Sequence, residues 1–193
     1  MTESEFIQLA HRNPVNRPLL DRLAAIALPD CFLVAGCLFQ PVWNGLSGRD
    51  PGAGIKDYDV FYFDKDDLSV KSEAAVEEAV RHATIDLEIK VDVKNQARVH
   101  LWYEEKFGPG YPQLISARDG IQRYLVVCTC IGIEVGSEEV YAPFGFAEIE
   151  SGTLRMNPIN PRPDLFRAKA RSYQSRWPWL TIVDPDGDEA SLP

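Results

Sequence analysis

Residues 54–64 read GIKDYDVFYFD, and no other stretch restricts the fold as tightly. Aromatic and β-branched residues fill it, so it is expected to be a strand. Side chains alternate across a strand. Asp57, Asp59, Phe61 and Phe63 therefore share one face, and Tyr58, Val60 and Tyr62 the other. The first face opens with two carboxylates about 7 Å apart along the strand and turns aromatic two residues later. Like charges beside a dry region repel each other. A divalent cation relieves that repulsion, and carboxylate oxygens suit Mg²⁺ or Mn²⁺. The structural alternative pairs both acids with Lys or Arg.

A third carboxylate can come from TIDLEIKVDVKN, which reads as a long alternating strand. Ile85, Leu87, Ile89, Val91 and Val93 fall on one face, and Asp86, Glu88, Lys90 and Asp92 on the other. If the two strands are neighbours, Asp86, Glu88 or Asp92 can approach the Asp57/Asp59 pair. Three such acids can hold metal for in-line displacement at phosphorus. Spacing alone leaves the choice among the three open.

Thr2 and Glu5 have capping-box spacing, so a short helix starts there and stops before Asn13-Pro14. A second helix follows Asn16, with Leu19, Leu23 and Ile26 on one side. CFLVAG is a short buried strand. Cys37 to Asn44 carries Leu38, Val42 and Trp43 at helical spacing. Glycines break the loop from Asn44 to Lys56. SVKSEAAVEEAVRH, ARVHLWYEEKF and SARDGIQRYLVV read as helices, and CTCIGIEV as a strand with Cys128 and Cys130 pointing one way. DLFRAKARSYQSRW is a late helix with Phe166, Ala170, Tyr173 and Trp177 as its apolar stripe. The expected fold class is α/β (α+β): a mixed β-sheet flanked by helices, with N-terminal helices and a C-terminal mixed extension. One domain is expected over residues 1–183, with its core at about 31–102 and the extension at about 110–183. Residues 184–193 read as an acidic disordered tail.

Net charge is −9, which opposes non-specific attraction to nucleic acid or to an anionic membrane. No apolar run approaches the ~20 residues that span a bilayer, so no membrane partner is expected. MTESEFIQLA is acidic and has no signal-peptide pattern, and the expected location is cytoplasmic. Such a compartment keeps Cys31, Cys37, Cys128 and Cys130 reduced. They read as small buried side chains, because no CxxC or nearby His completes a zinc site.

Taken together the pieces are more specific than any one of them. A short apolar strand ends in glycine (Val34-Ala35-Gly36-Cys37) and leads into a helix. A strand follows with Asp57-Tyr58-Asp59-Val60, and a later one with Val91-Asp92-Val93. This order resembles the DNA polymerase β-like nucleotidyltransferase superfamily. AGCLFQPVWN, DYDVFYFD, VKNQARVHLWYEEKFG and RAKARSYQSRWPWL resemble more narrowly a little-characterised bacterial family assigned to it. The resemblance implies a nucleotidyltransferase-like fold and transfer of an NMP group from an NTP to an acceptor hydroxyl. It implies that Asp57, Asp59 and Asp92 are catalytic and hold Mg²⁺ or Mn²⁺, and that Gly36 and Cys37 meet the phosphates through backbone at a helix N-terminus. Two departures stand out. The residue after the glycine is usually Ser or Gly and is Cys37 here, and the interval from Gly36 to Asp57 is long. Both fit the alternative, a catalytically degenerate nucleotide- or partner-binding module on the same fold.

Supporting candidates are weaker. Lys56, before the acid pair, and Arg49, in the glycine loop, can contact phosphate or serve as solvated surface charges. Lys90 can neutralise its acidic neighbours. Asn95 is placed to cap a helix. His100 and Glu104 lack a third metal ligand. Trp43, Trp102 and Tyr103 can stack a base or fill the core. Arg162, Arg167, Lys169, Arg171 and Arg176 would gather anions only if the late helix packs near the carboxylates. The negative charge favours a small-molecule or protein acceptor over nucleic acid.

Overall fold

Helix α1 (Glu3–Ala10) starts at the expected capping box: Thr2 accepts from the Glu5 amide and Glu5 reaches back to the Thr2 amide. The computed structural model describes residues 1–185, so most of the expected tail lies outside the described residues. Helix α2 (Asn16–Ile26) buries Leu19, Leu20 and Leu23 and ends at Ala27 in the left-handed region. Strand β1 (Phe32–Val34) then turns sharply into helix α3 (Gly36–Leu46).

Strand β2 (Tyr58–Tyr62) follows the glycine loop. Tyr58, Val60 and Tyr62 are buried, whereas Asp59 and Phe61 are half-buried, which is the alternation the sequence requires. Helix α4 (Val70–Ala83) crosses over to strand β3 (Val91–Asn95), which lies parallel to β2. The main sheet has the order β3-β2-β1-β4-β5, completed by β4 (Gly132–Glu134) and β5 (Val140–Tyr141). All its other pairings are antiparallel, so the sheet is mixed as expected.

Strand β3 is much shorter than its sequence alternation suggests. Ile85–Leu87 forms a 3₁₀ turn, and Glu88 reverses the chain at φ 52°. The reason is non-local. A strand forms only where a neighbour accepts its ladder, and Val91 pairs with Tyr58, the first residue of β2. Residues before Val91 have no strand beside them. The Arg22 guanidinium instead takes Asp86, with Nη2 at 2.7 Å from Oδ2.

Three further expectations are corrected. ARVHLWYEEKF is not one helix: Gln96–Leu101 is 3₁₀, and α5 spans only Tyr103–Phe107. Buried Arg98 fixes that path, donating Nε to the Leu68 carbonyl at 2.8 Å and pairing with Glu73. SARDGIQRYLVV is helical only over α6 (Ala117–Ile121). Cys128 does not alternate with Cys130 along a strand, because Val127–Thr129 is a 3₁₀ turn closed by Thr129 Oγ1 on the Val126 carbonyl. All four cysteines are nevertheless buried and unpaired.

The C-terminal part contains α7 (Ala147–Ser151), the small parallel pair β6 (Thr153–Arg155) and β7 (Thr181–Val183), and α8 (Pro163–Gln174). Phe166, Ala170, Tyr173 and Trp177 are all buried, as the stripe predicts. Trp177 Nε1 donates to Asn44 Oδ1 at 3.0 Å, and Trp43 Nε1 to the Ile149 carbonyl at 3.0 Å. The extension thus packs directly on α3. Among the described residues no helix is long and apolar enough to cross a membrane.

Candidate active site

The turn from β1 into α3 is made by Ala35 at φ 58°, ψ −122°, a region that residues with a Cβ rarely occupy. Gly36 follows as the first helical residue. A Cβ there would lie 2.6 Å from Gln40 Nε2, so the position has room only for hydrogen unless Gln40 moves. Cys37 is fully buried, and its thiol donates to the Val34 carbonyl at 3.5 Å. Its sulfur is therefore turned into the core, and only its backbone is left to meet a ligand.

Pro41 lies inside α3 and has no N–H, so the helix cannot supply a donor for the carbonyl of Cys37, four residues earlier. Asn16 supplies it, with Nδ2 at 2.8 Å from that oxygen and 2.8 Å from the Ala10 carbonyl. Asn13 joins Asn16 to the Tyr58 hydroxyl. This buried chain ties the first turn of α3 to the start of β2. Asn16→Ala is expected to cost about 2 kcal/mol, because the Cys37 carbonyl loses the donor that Pro41 cannot replace and the Ala10 carbonyl keeps only the Asn13 amide. Chemical denaturation checks it.

Register brings the acids together. Asp59 pairs with Val34 at the end of β1 and with Asp92 on β3. Asp59 and Asp92 are thus side by side on adjacent strands, next to the turn that starts α3, and Asp57 lies two residues before Asp59. Asp86 and Glu88 are excluded from this group by the 3₁₀ turn and the chain reversal. Lys90 Nζ is 3.7 Å from Asp57 Oδ2, and Lys94 Nζ lies 3.0 Å from Asp92 Oδ1 and 2.7 Å from Glu77 Oε1. Asp59 has no hydrogen-bond or ion-pair partner among the described residues. Burial first, then the charges of Asp57 and Asp92, push its carboxyl up to about 7. Lys169 and Lys90 pull the other way.

Helix α8 does reach this face. Lys169 is close enough to act on Asp59, and Arg176 feels Asp57. Arg176 also lies 3.4 Å from Gln40 Oε1, beside Gly36, with its guanidinium 4.5 Å from the Trp177 ring. Lys56 is exposed, out of alternation with Asp57, and has no ion pair among the described residues. Arg49 donates to the Arg176 carbonyl at 2.6 Å. Asn95 caps the next turn, accepting from the Ala97 amide at 3.0 Å. Trp43 is core, whereas Trp102 and Tyr103 line a cavity beyond Phe61.

No group of three His, Cys, Asp or Glu is drawn together tightly enough to cage a metal among the described residues. The donor chemistry still fits a hard divalent cation. Three carboxylates face one region, and the central one is raised by burial and by its two like-charged neighbours. Sequence reasoning missed Gln40, beside Gly36, and the donor role of Asn16. Pro41 within a helical pattern was the one available signal, since it implies an orphan carbonyl needing a donor from elsewhere.

A sequence model of the family described as nucleotidyltransferase matches residues 21–182. Comparison with curated proteins finds no match. Among solved structures, the fold is similar to an NMR structure described as revealing a CCA-adding enzyme head domain. The TM-score is 0.77 at 25% sequence identity, over 95% of this chain and 96% of that one.

Proposed function

From the premise that this chain belongs to the nucleotidyltransferase family, we propose that it moves an NMP group from an NTP to an acceptor hydroxyl, using Mg²⁺ or Mn²⁺ held by Asp57, Asp59 and Asp92. The observation that carries this reading is the register pairing of Asp59 with Asp92 beside the turn into α3. When bound, the cation neutralises phosphate charge and makes the acceptor hydroxyl more acidic.

The chain's own groups do the rest. Backbone N–H groups at Gly36 and Cys37 and the positive end of α3 receive the phosphates. Arg176, beside Gln40 and Gly36, adds positive charge there, and exposed Lys56 is a candidate for the same role. Asp92 accepts the proton of the acceptor hydroxyl. The acceptor oxygen then bonds to the α-phosphorus as the bridge to the β-phosphate breaks. Pyrophosphate leaves with that electron pair, opposite the attacking oxygen.

The test is incubation with α-labelled NTPs, Mg²⁺ or Mn²⁺ and cell extract. Label should appear on an acceptor and vanish with Asp57→Ala. Tight NTP binding without transfer would favour the binding-only alternative, which the buried Cys37 thiol keeps in view. Asp86→Ala separates the third acid from its sequence neighbours. It removes an exposed pair with Arg22, so transfer should stay within about twofold and the melting midpoint should hardly move. A large loss of transfer would put Asp86, not Asp92, at the site.

A further inference from the structure

Beyond Phe61, on the acid-bearing face of β2, lies a cavity of about 490 Å³. Its apolar wall includes Phe61, Trp102, Tyr103, Tyr111 and Tyr124. Phe61 and Tyr124 stack with centroids 5.6 Å apart, and Tyr103 and Tyr111 at 3.8 Å, so flat surfaces bound the space. Its charged lining is entirely cationic: Lys94, Arg123 and Lys169. Lys94 is already paired with Asp92 and Glu77, which leaves Arg123 and Lys169 to meet a ligand. Arg123 gives only Nε to Asp119, at 3.1 Å, and its terminal nitrogens bond nothing else among the described residues.

We propose that this cavity is the acceptor subsite, and that the acceptor is a small molecule with a flat apolar body, an anionic group and a hydroxyl. This inference rests on the transfer reading above. Three observations carry it. The volume falls within the roughly 300–1,000 Å³ of small-molecule sites, too small for a folded partner. The lining joins aromatic surface to positive charge. The location suits in-line attack: Phe61 pairs with Phe32, two residues from Val34, so the cavity begins on the side of Asp59 away from the turn into α3. Pyrophosphate leaves toward α3, so the acceptor must enter from the opposite side. Lys94, on the strand that carries Asp92 and 3.0 Å from that carboxylate, lines the cavity, so the cavity borders the acids although Asp92 is not part of its wall.

The test is an NMR titration of the full chain with a hydroxynaphthoate, its uncharged carboxamide, adenosine, and a non-hydrolysable ATP analogue with Mg²⁺. The hydroxynaphthoate should shift Trp102 and Tyr103 signals and bind roughly tenfold tighter than the carboxamide, the difference a charge-assisted hydrogen bond makes. Arg123→Gln should remove that preference. Trp102→Ala should weaken both ligands; if it fails to fold, the Arg123→Gln comparison still decides. The Mg²⁺-bound analogue should leave the hydroxynaphthoate in place. Displacement by the analogue or by adenosine overturns the proposal, because the cavity then holds the nucleobase. Equal binding of acid and carboxamide, or no binding, also overturns it. Analogue shifts at Gly36 and Asp59 without hydroxynaphthoate binding would sink this inference and leave the transfer reading standing. The reverse pattern would sink the transfer reading, and the acceptor role with it.

Discussion

Asp59→Asn is expected to lower nucleotidyl transfer by roughly 10³-fold or more, the several kcal/mol that charge neutralisation at phosphorus supplies, and to make the protein more stable. The two effects have one cause. Asp59 is desolvated and lies between Asp57 and Asp92, so its carboxyl titrates near 7 when folded and near 3.8 when unfolded. A carboxyl raised in this way favours the folded state while protonated. That contribution is complete below 3.8 and is lost as pH rises through 7. Wild-type stability should therefore fall across that window, by about 2–4 kcal/mol from this group. Asn carries no proton to lose, so the variant's profile should lack this component. At pH 8 the variant should melt higher than wild type, and added Mg²⁺ should raise the wild-type midpoint more than the variant's. Thermal melts across pH, with and without Mg²⁺, read both. Undiminished transfer by Asp59→Asn would remove this residue from the mechanism.

Trp43→Ala should be among the most damaging core substitutions. Trp43 is fully buried on α3 and touches Phe39, Tyr173 and Trp177 with centroids 4.6, 5.5 and 5.3 Å away. Truncating such a ring costs about 3–5 kcal/mol. The Ile149 carbonyl also loses its donor. Whole-domain stabilities are about 5–15 kcal/mol, so the variant should be marginal or unfolded at 37 °C. Because Trp43 joins α3 to α7 and α8, the loss should appear as one transition by far-UV and near-UV circular dichroism. Two separated transitions would mean that the C-terminal extension folds apart from residues 31–102, against the expectation of one unit over 1–183.

Much of the local structure was legible because its causes are local. Thr2 and Glu5 cap each other across three residues, and Tyr58, Val60 and Tyr62 alternate with Asp59 and Phe61 whatever surrounds them. The Phe166–Trp177 stripe follows from helical periodicity in the same way. These patterns, with Gly36 ending an apolar run, were enough to indicate a mixed sheet with two acids on one face.

The rest depended on what lies alongside. The alternation from Ile85 to Ile89 has the form of a strand, but hydrogen bonds need a neighbour, and β2 offers none before Tyr58. That single fact selects Asp92 and leaves Asp86 to Arg22. The need for Asn16 follows from Pro41 only once both are in one core. Lys169 and Arg176 were basic residues on a late helix until packing brought them to the acids. A sequence fixes which face a side chain takes, because alternation and helical period are properties of a few consecutive residues. Which faces meet is decided by register and packing between residues distant in the chain, and only the tertiary structure contains that.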